Sequence, residues 1–291
     1  MQLENTAAIV TGGASGLGAA TAQALADRGA TVFGFDLAGS IDQAPEVKGV
    51  TYVAVDVTDP EQVQEAVDTA ASGIEPLRTV VNCAGIGPSA RVLSKKGVHD
   101  LALYAKIIQV NLIGTFNVMA LAAERIAETE ALEHGARGII INTASIAAFE
   151  GQIGQAAYSS SKGGVVGLNL PAARDLAQYG IRVNTIAPGI VETPMLATVS
   201  DEFRAGLAAG VPFPQRLARP DEYAQLAMFL VEHDYLNGEV VRMDGALRMA
   251  PADEPSLRTR EPSLRRREPS LRLRSGAEVK VRHFRVRVRH F

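Results

Sequence analysis

Ala7-Ala8-Ile9-Val10-Thr11-Gly12-Gly13-Ala14-Ser15-Gly16-Leu17-Gly18 is the stretch that decides the fold. Ala7–Thr11 is an unbroken, largely apolar run, the pattern of a short strand covered on both faces. Four glycines follow within seven residues, Gly12, Gly13, Gly16 and Gly18, and a helical pattern begins at once over Gly18–Arg28. Glycine permits a tight turn and lets backbone N–H groups come close to a ligand, and the helix N-terminus behind the turn favours an anion. The spacing is Gly-x-x-x-Gly-x-Gly, not Gly-x-Gly-x-x-Gly, but the physics of holding a pyrophosphate is shared. Gly12, Ser15, Gly16, Leu17 and Gly18 are therefore candidate cofactor-binding residues.

The same strand-then-helix alternation continues outward from this loop. Further strand candidates are Thr31–Asp36, Thr51–Asp56, Thr79–Asn82, Gly138–Thr143, Arg182–Ala187 and Val240–Met243. Helical patterns cover Pro60–Ala71, Ala102–Glu128, Ala156–Gln178 and Asp221–Glu232, and Gly29 and Gly180 stand where helices end on a left-handed residue. This alternation predicts an α/β fold with a doubly wound, Rossmann-like parallel sheet of about seven strands, in one domain over residues 1–251. Ligands of such sheets sit beyond the carboxyl ends of the strands. Asp36 ends the second strand, about 20 residues past the loop, where a carboxylate accepts hydrogen bonds from a ribose and repels a 2′-phosphate. No Arg or Lys lies in the loop or directly after Asp36, so NAD is expected in preference to NADP. Asp56 and Val57 end the third strand, where a carboxylate meets the adenine amino group. Asn82, Ala84 and Gly85 end the fourth, where small residues let a cofactor lie against the backbone. Cys83, between them, reads as a small packed residue and not as a nucleophile.

The chain has 291 residues, 47% hydrophobic and 21% charged, a globular composition. One cysteine excludes a disulfide scaffold and a Cys-cluster metal site, and no metal is expected. No run of 18 apolar residues exists; Gln109, Asn111 and Asn117 interrupt the stretch Ile107–Ala123, so no membrane span is expected. Strand-like sequence begins close to Met1, which leaves no room for a leader and predicts a cytoplasmic protein. The net charge of −3 hides an asymmetry: residues 252–291 carry 11 Arg and one Lys against five acids, while residues 1–251 are net −10. Glu-Pro-Ser-Leu-Arg recurs at 254–258, 261–265 and 268–272, and proline in every repeat excludes a coiled coil. This basic, low-complexity segment is read as a non-native or read-through extension, largely disordered, in preference to a nucleic-acid-binding tail.

Tyr158 and Lys162 are four residues apart in a helical pattern and so share one face. A phenol is a poor base near neutrality, and a neighbouring ammonium favours its ionised form. Ser145 follows the fifth strand at the edge where substrate should sit. With the glycine loop and Asp36, this constellation resembles the short-chain dehydrogenase/reductase family. The resemblance rests on Gly12–Gly18, Asn82-Cys83-Ala84-Gly85, Asn111, Ser145, Tyr158-x-x-x-Lys162 and Pro188-Gly189 with Thr193; Cys83 stands where the family usually has asparagine. It implies that Tyr158 is the general acid/base, that Lys162 tunes it and binds the nicotinamide ribose, that Ser145 orients the substrate oxygen, and that Asn111 holds a water leading from Lys162 to solvent. It also implies nicotinamide-side contacts from Pro188, Gly189, Val191 and Thr193.

Three further segments, Ala148–Tyr158, Pro212–Leu217 and Leu236–Met249, resemble the type-2 3-hydroxyacyl-CoA dehydrogenase subgroup, usually homotetrameric and also active on some hydroxysteroids. An NAD-dependent oxidoreductase for 3-hydroxyacyl-CoA is thus implied. An NAD-dependent hydroxysteroid or other secondary-alcohol dehydrogenase is the alternative, since only pocket residues separate the two. A non-catalytic scaffold fits poorly with an intact Asn111, Ser145, Tyr158 and Lys162. Gln155, one turn before Tyr158, is the candidate contact for the inner half of the substrate. Lys95 and Lys96 are either a solvated loop or a rim that meets CoA phosphates.

Overall fold

The computed structural model describes residues 1–196 and 200–251. The apolar runs become seven parallel strands: β1 (Ala7–Thr11), β2 (Thr31–Asp36), β3 (Val50–Ala54), β4 (Leu77–Asn82), β7 (Gly138–Thr143), β8 (Ile181–Pro188) and β9 (Val240–Met243), with a small antiparallel hairpin, β5 (Leu93–Ser94) and β6 (Gly97–Val98), between β4 and β7. The sheet order is β3-β2-β1-β4-β7-β8-β9. Strand order reverses between β1 and β4, so the ligand crevice of a doubly wound sheet opens there. The anticipated basic extension, residues 252–291, lies outside the described residues.

Continuous apolar strands make two cores. Ile9, Val80, Ile140 and Val183 face one side, under α3 (Pro60–Ala71), α5 (Thr115–Ala127) and α6 (Ala156–Ala177). Their neighbours Ala8, Val10, Val81, Ile139 and Ile141 face the other, under α1 (Gly16–Ala26) and α8 (Pro220–Glu232). Adjacent residues of one strand point to opposite faces, so both positions must be apolar when helices cover both. Gly29 and Gly180 do take left-handed conformations, with φ of 84° and 70°.

Several elements differ from the sequence expectation; β4 begins at Leu77 instead of Thr79, and β8 and α8 are longer by a residue or two. The third strand ends at Ala54, leaving Asp56 in the following turn. The first helix begins at Gly16, two residues early. The run Ala102–Glu128 is not one α-helix: α4 (Leu101–Ile108) passes through a π turn, Gln109–Gly114, into α5. A Cβ at Gly114 would lie 2.7 Å from Val57 Cγ2, so the backbone packs closely against the β3 turn there. By length and composition Leu101–Ala127 is apolar enough to cross a membrane. Its buried side chains Ile107, Val118, Met119, Ala122 and Ile126 pack within the protein, which accounts for that apolarity. A one-turn helix α2 (Ala38–Ile41), the β5–β6 hairpin and α7 (Asp201–Ala209) were not anticipated from the sequence.

Candidate active site

The glycine loop closes onto the ends of neighbouring strands. Gly12 has φ of 65°, and a Cβ there would come within 2.9 Å of the Ala84 amide nitrogen. A Cβ on Gly13 would meet Gly34 Cα at 2.8 Å, and one on Gly18 would strike the Gly12 carbonyl. Any side chain at these positions would push the loop off the sheet. Helix α1 therefore starts close against the strand ends, and its first amides have no partner within the helix. Ser15 is the N-cap residue, exposed, and its hydroxyl makes no capping bond. Leu17 is half-buried on the first turn. Asp36 is held at the loop's flank: Oδ2 accepts from the Ala14 amide at 3.1 Å and Oδ1 from the Leu37 amide at 2.8 Å.

Other candidates contribute in narrower ways. Asp56 Oδ1 is tied into its own turn by the Thr58 amide and hydroxyl, at 2.9 and 2.8 Å. Val57 is buried, and its carbonyl accepts from Asn117 Nδ2 at 3.1 Å. Asn82 turns inward, donating to Asn142 Oδ1 at 2.9 Å and accepting from Thr11 at 3.4 Å, so its side chain fixes strand ends instead of facing the crevice. Thr11 also accepts from the Ala84 amide at 3.1 Å. On the far side, Pro188 ends β8 and the Gly189 amide donates to the Met243 carbonyl at 2.9 Å. Val191 is buried and bridges to Ala218, which leaves only its backbone available. Thr193 reaches back to the loop: a Cβ on Gly16 would lie 3.5 Å from Thr193 Cβ.

The chemical groups gather at the carboxyl ends of β4 and β7. Ser145 caps a short 3-10 turn, Ile146–Ala148, its Oγ accepting from the Ala147 amide at 3.1 Å. Tyr158 and Lys162 project from α6, with Lys162 Nζ 5.9 Å from the Tyr158 ring centroid. Lys162 is buried, and its ammonium donates to the Thr143 carbonyl at 2.7 Å. Burial lowers its pKa to about 8. Burial pushes the Tyr158 phenol above its ordinary value, and a hydrogen bond with Ser145 opposes that rise. Lys162 was expected to draw Tyr158 toward phenolate; desolvation is instead the larger influence on both groups.

A Cβ on Gly85 would lie 3.2 Å from Asn111 Oδ1 and 3.5 Å from Lys162 Nζ, so these three residues converge. Asn111 sits in the π turn, a distortion common at functional sites. Its amide is fully engaged: Oδ1 accepts from the Ile86 amide at 2.8 Å, and Nδ2 donates to the Ile86 carbonyl at 2.9 Å and to Ser161 Oγ at 3.0 Å. Ser161 in turn donates to the Tyr158 carbonyl at 2.7 Å. Asn111 thus locks the β4 loop to the Tyr158 helix through its side chain. Ser161 and the Thr143 carbonyl were missed in the sequence; a small hydroxyl in a helix and a backbone acceptor carry no motif of their own.

Between the β5–β6 hairpin and the start of α6 opens a cleft of about 590 Å³, lined by Arg91, Leu93, Gln152, Ile153, Gln155 and Ser159 among others. Gln155 caps α6 and accepts from the Gln152 amide at 2.9 Å. Lys95 and Lys96 form the exposed tip of the β5–β6 hairpin. Among the described residues no cluster of three or more His, Cys, Asp or Glu could hold a metal.

The fold and this Tyr–Lys–Ser constellation define a class. Residues 6–203 match the family model of the short chain dehydrogenases, and the chain belongs to that family of oxidoreductases. It is 51% identical over 249 residues to 3-hydroxyacyl-CoA dehydrogenase type-2 of Bos taurus and 49% identical to that of Homo sapiens, each alignment covering 84% of this chain and 95% of the relative. The crystal structure of 3-hydroxyacyl-CoA dehydrogenase type-2 from Mycobacterium avium superposes with a TM-score of 0.81 at 44% identity, covering 86% of this chain and 99% of that one.

Proposed function

We propose that the chain interconverts 3-hydroxyacyl-CoA and 3-oxoacyl-CoA, with NAD as hydride carrier. The observation that carries this reading is Tyr158, Lys162 and Ser145 gathered at the carboxyl edge of the sheet, where Lys162 Nζ bonds the Thr143 carbonyl and lies close to Gly85 and Asn111. The cradle fits a dinucleotide: Gly12, Gly13 and Gly18 allow no side chain, and Ser15 at the N-cap of α1 is exposed with no capping bond, which leaves the first amides of the helix for a ligand. Gly12, Ser15, Gly16, Leu17 and Gly18 would hold the pyrophosphate, and Asp36 the adenosine ribose in place of a 2′-phosphate. Asp56, Val57, Ala84 and Gly85 would line the path to Lys162, and Pro188, Gly189, Val191 and Thr193 would hold the nicotinamide end. Bound there, the dinucleotide would supply or accept the hydride.

The chain's own residues handle the proton. Ser145 orients the substrate oxygen by a hydrogen bond. Tyr158 gives its phenolic proton to that oxygen in reduction and takes it back in oxidation. The Lys162 ammonium, fixed by the Thr143 carbonyl, stabilises the phenolate while the proton is away. The acyl-CoA substrate class is supported by the names of relatives near 50% identity, by Arg91 in the cleft and by Lys95 and Lys96 at the exposed tip of the hairpin that contributes to it, cations suited to CoA phosphates. A homotetramer is supported by an apolar groove between α5 and α6, where Phe116 and Tyr179 are 55% and 46% exposed.

The test is NADH consumption with acetoacetyl-CoA and, separately, with a steroid ketone. Turnover of acetoacetyl-CoA at the higher kcat/KM supports the proposal; a preference for the steroid moves it to hydroxysteroids. Tyr158→Phe should keep NADH binding and lose about 10²–10⁴-fold in kcat. A variant that keeps more than about a tenth of the wild-type kcat would remove Tyr158 from the proton-transfer role.

A further inference from the structure

Arg242 belongs to none of the groups above, yet it joins the two sides of the site. It stands in β9, and its guanidinium forks onto Glu150: Nη1 donates to Oε1 at 3.0 Å and Nη2 to Oε2 at 2.9 Å. Its Nε donates to Asp244 Oδ2 at 2.7 Å, and Nη2 also donates to the Leu247 carbonyl at 3.2 Å. Arg242 Cζ lies 5.1 Å from the centre of the Phe149 ring. Arg248 adds a second cation to the same acids, 3.1 Å from Asp244 and 3.5 Å from Glu150.

Glu150 lies in the loop that runs from the Ser145 turn to the Tyr158 helix. In that loop Gln152 Nε2 donates to the Ala250 carbonyl at 3.1 Å. Asp244, two residues beyond Arg242 in the same segment, packs against the opposite wall at Gly189. A Cβ on Gly189 would be 3.0 Å from Asp244 Cα, and the Gly189 amide bonds the carbonyl just before Asp244, at 2.9 Å. An independent apolar cluster ties the same segments: Ile146, next to Ser145, is buried with Val211 and Leu247, and Ile190 and Met249 pack against them. Segment 242–250 is thus wedged between the wall bearing Ser145 and Tyr158 and the wall bearing Gly189.

We infer that Arg242 is a positioning residue that sets the separation of these two walls through its fork on Glu150 and its bond to Asp244. On the proposed reading Ser145 and Tyr158 on one wall would orient the substrate oxygen and Gly189 on the other would hold the nicotinamide end, and an error of about 1 Å between reacting groups can cost about 10²-fold in rate. The planar fork fixes direction as well as charge, which a lysine cannot do. A partly exposed ion pair contributes little net stability, so its effect falls on geometry. The inference rests on the oxidoreductase site at Tyr158 and not on the choice of substrate.

The experiment compares full-length Arg242→Met, Arg242→Lys and Glu150→Gln with wild type, using whichever of acetoacetyl-CoA or the steroid ketone the wild type reduces. Melting temperature, NADH affinity by fluorescence, KM and kcat are measured for each. Arg242→Met should lower kcat by about ten- to a hundredfold, with NADH affinity and KM within about threefold of wild type. Glu150→Gln should show the same split, and Arg242→Lys should recover only part of kcat. In the Arg242→Met, Glu150→Gln double variant, measured alongside, the losses should not add, because both changes break one contact. Wild-type kcat per folded molecule in Arg242→Met, with only the melting temperature lowered, would overturn the inference and leave a structural brace. Equal losses in NADH affinity and kcat would overturn it too, since that pattern means one wall has collapsed.

Discussion

Lys162 carries the clearest conflict between stability and chemistry. It is 4% exposed, and burial brings its pKa from 10.5 to about 8. Below pH 8 the folded and unfolded chains both hold the proton, and the fold bears the full cost of a charge kept from water. Between pH 8 and 10.5 the folded lysine releases its proton first and the cost fades; above 10.5 it is gone. Lys162→Met is therefore expected to be more stable than wild type at neutral pH, by on the order of 3 kcal/mol, with the gap closing as pH rises through that window. The variant should also be nearly inactive, because nothing then stabilises a Tyr158 phenolate. Urea melts of both proteins from pH 7 to 10.5 check this; a gap that stays flat over the range would mean that Lys162 bears no buried charge. The same residue marks what a sequence can and cannot convey. Its spacing from Tyr158 is visible as a shared helical face. Its anchor is the carbonyl of Thr143, which any residue at that position would offer, so nothing in the letters points to it.

Helix α8 shows how a terminus is built at the level of an element. Pro220 opens it, and Glu222 reaches back to accept from the Arg219 amide at 2.8 Å. Arg216, from the preceding segment, forks onto the same carboxylate at 2.8 and 2.7 Å. Arg216 and the Arg219 amide hold the Glu222 carboxyl down to about 2, against an ordinary 4.5. Its folded pKa is depressed, so the stability it contributes is complete above about pH 4.5 and is lost as pH falls through 2. Glu222→Gln should cost about 1 kcal/mol at pH 7, the scale of a capping interaction, and nothing near pH 2. Thermal melts at the two pH values decide it, and an equal loss at both would assign the effect to packing. Elements with a strong period were legible in the sequence: β1, β2, β7, β9 and α3 have the bounds that the apolar runs and the Thr58-Asp59-Pro60-Glu61 start predict. The π turn at Asn111 was not, because one added residue shifts the helical period too little to detect in an apolar run. The β5–β6 hairpin was not, because two-residue strands with exposed side chains have no alternation to read. Helix α7 did carry signals, Ser200 as its cap and acids at 201 and 202, but a weak apolar face hid them.

At the scale of the whole molecule, residues 1–251 hold a seven-stranded sheet with an apolar core on each face. Strand β9 pairs with β8 from Thr185–Val240 to Pro188–Met243, and Leu247 and Met249 then pack with Ile146 and Val211. The segment that follows differs in charge: residues 252–291 add +7 to a body of −10, bringing the chain to −3. We expect a chain truncated after Pro251 to keep the fold, the kcat and the KM of the full-length protein. The reason is that the apolar contacts of Leu247 and Met249 and the Gln152–Ala250 bond precede the cut. Truncation should act on the colloidal behaviour instead. A net charge further from zero raises mutual repulsion, so the shorter chain should stay soluble nearer pH 6, where the full chain is close to its isoelectric point of about 6.0. The cut must not pass Ala250: ending the chain at Asp244 removes Leu247, Met249 and the acceptor for Gln152, and should lower kcat in the manner of Arg242→Met. The measurements are melting temperature, kcat, KM and light scattering on the three lengths. Loss of activity in the chain ending at Pro251 would assign a structural role to residues 252–291, and undiminished activity in the chain ending at Asp244 would show that the C-terminal wedge is dispensable.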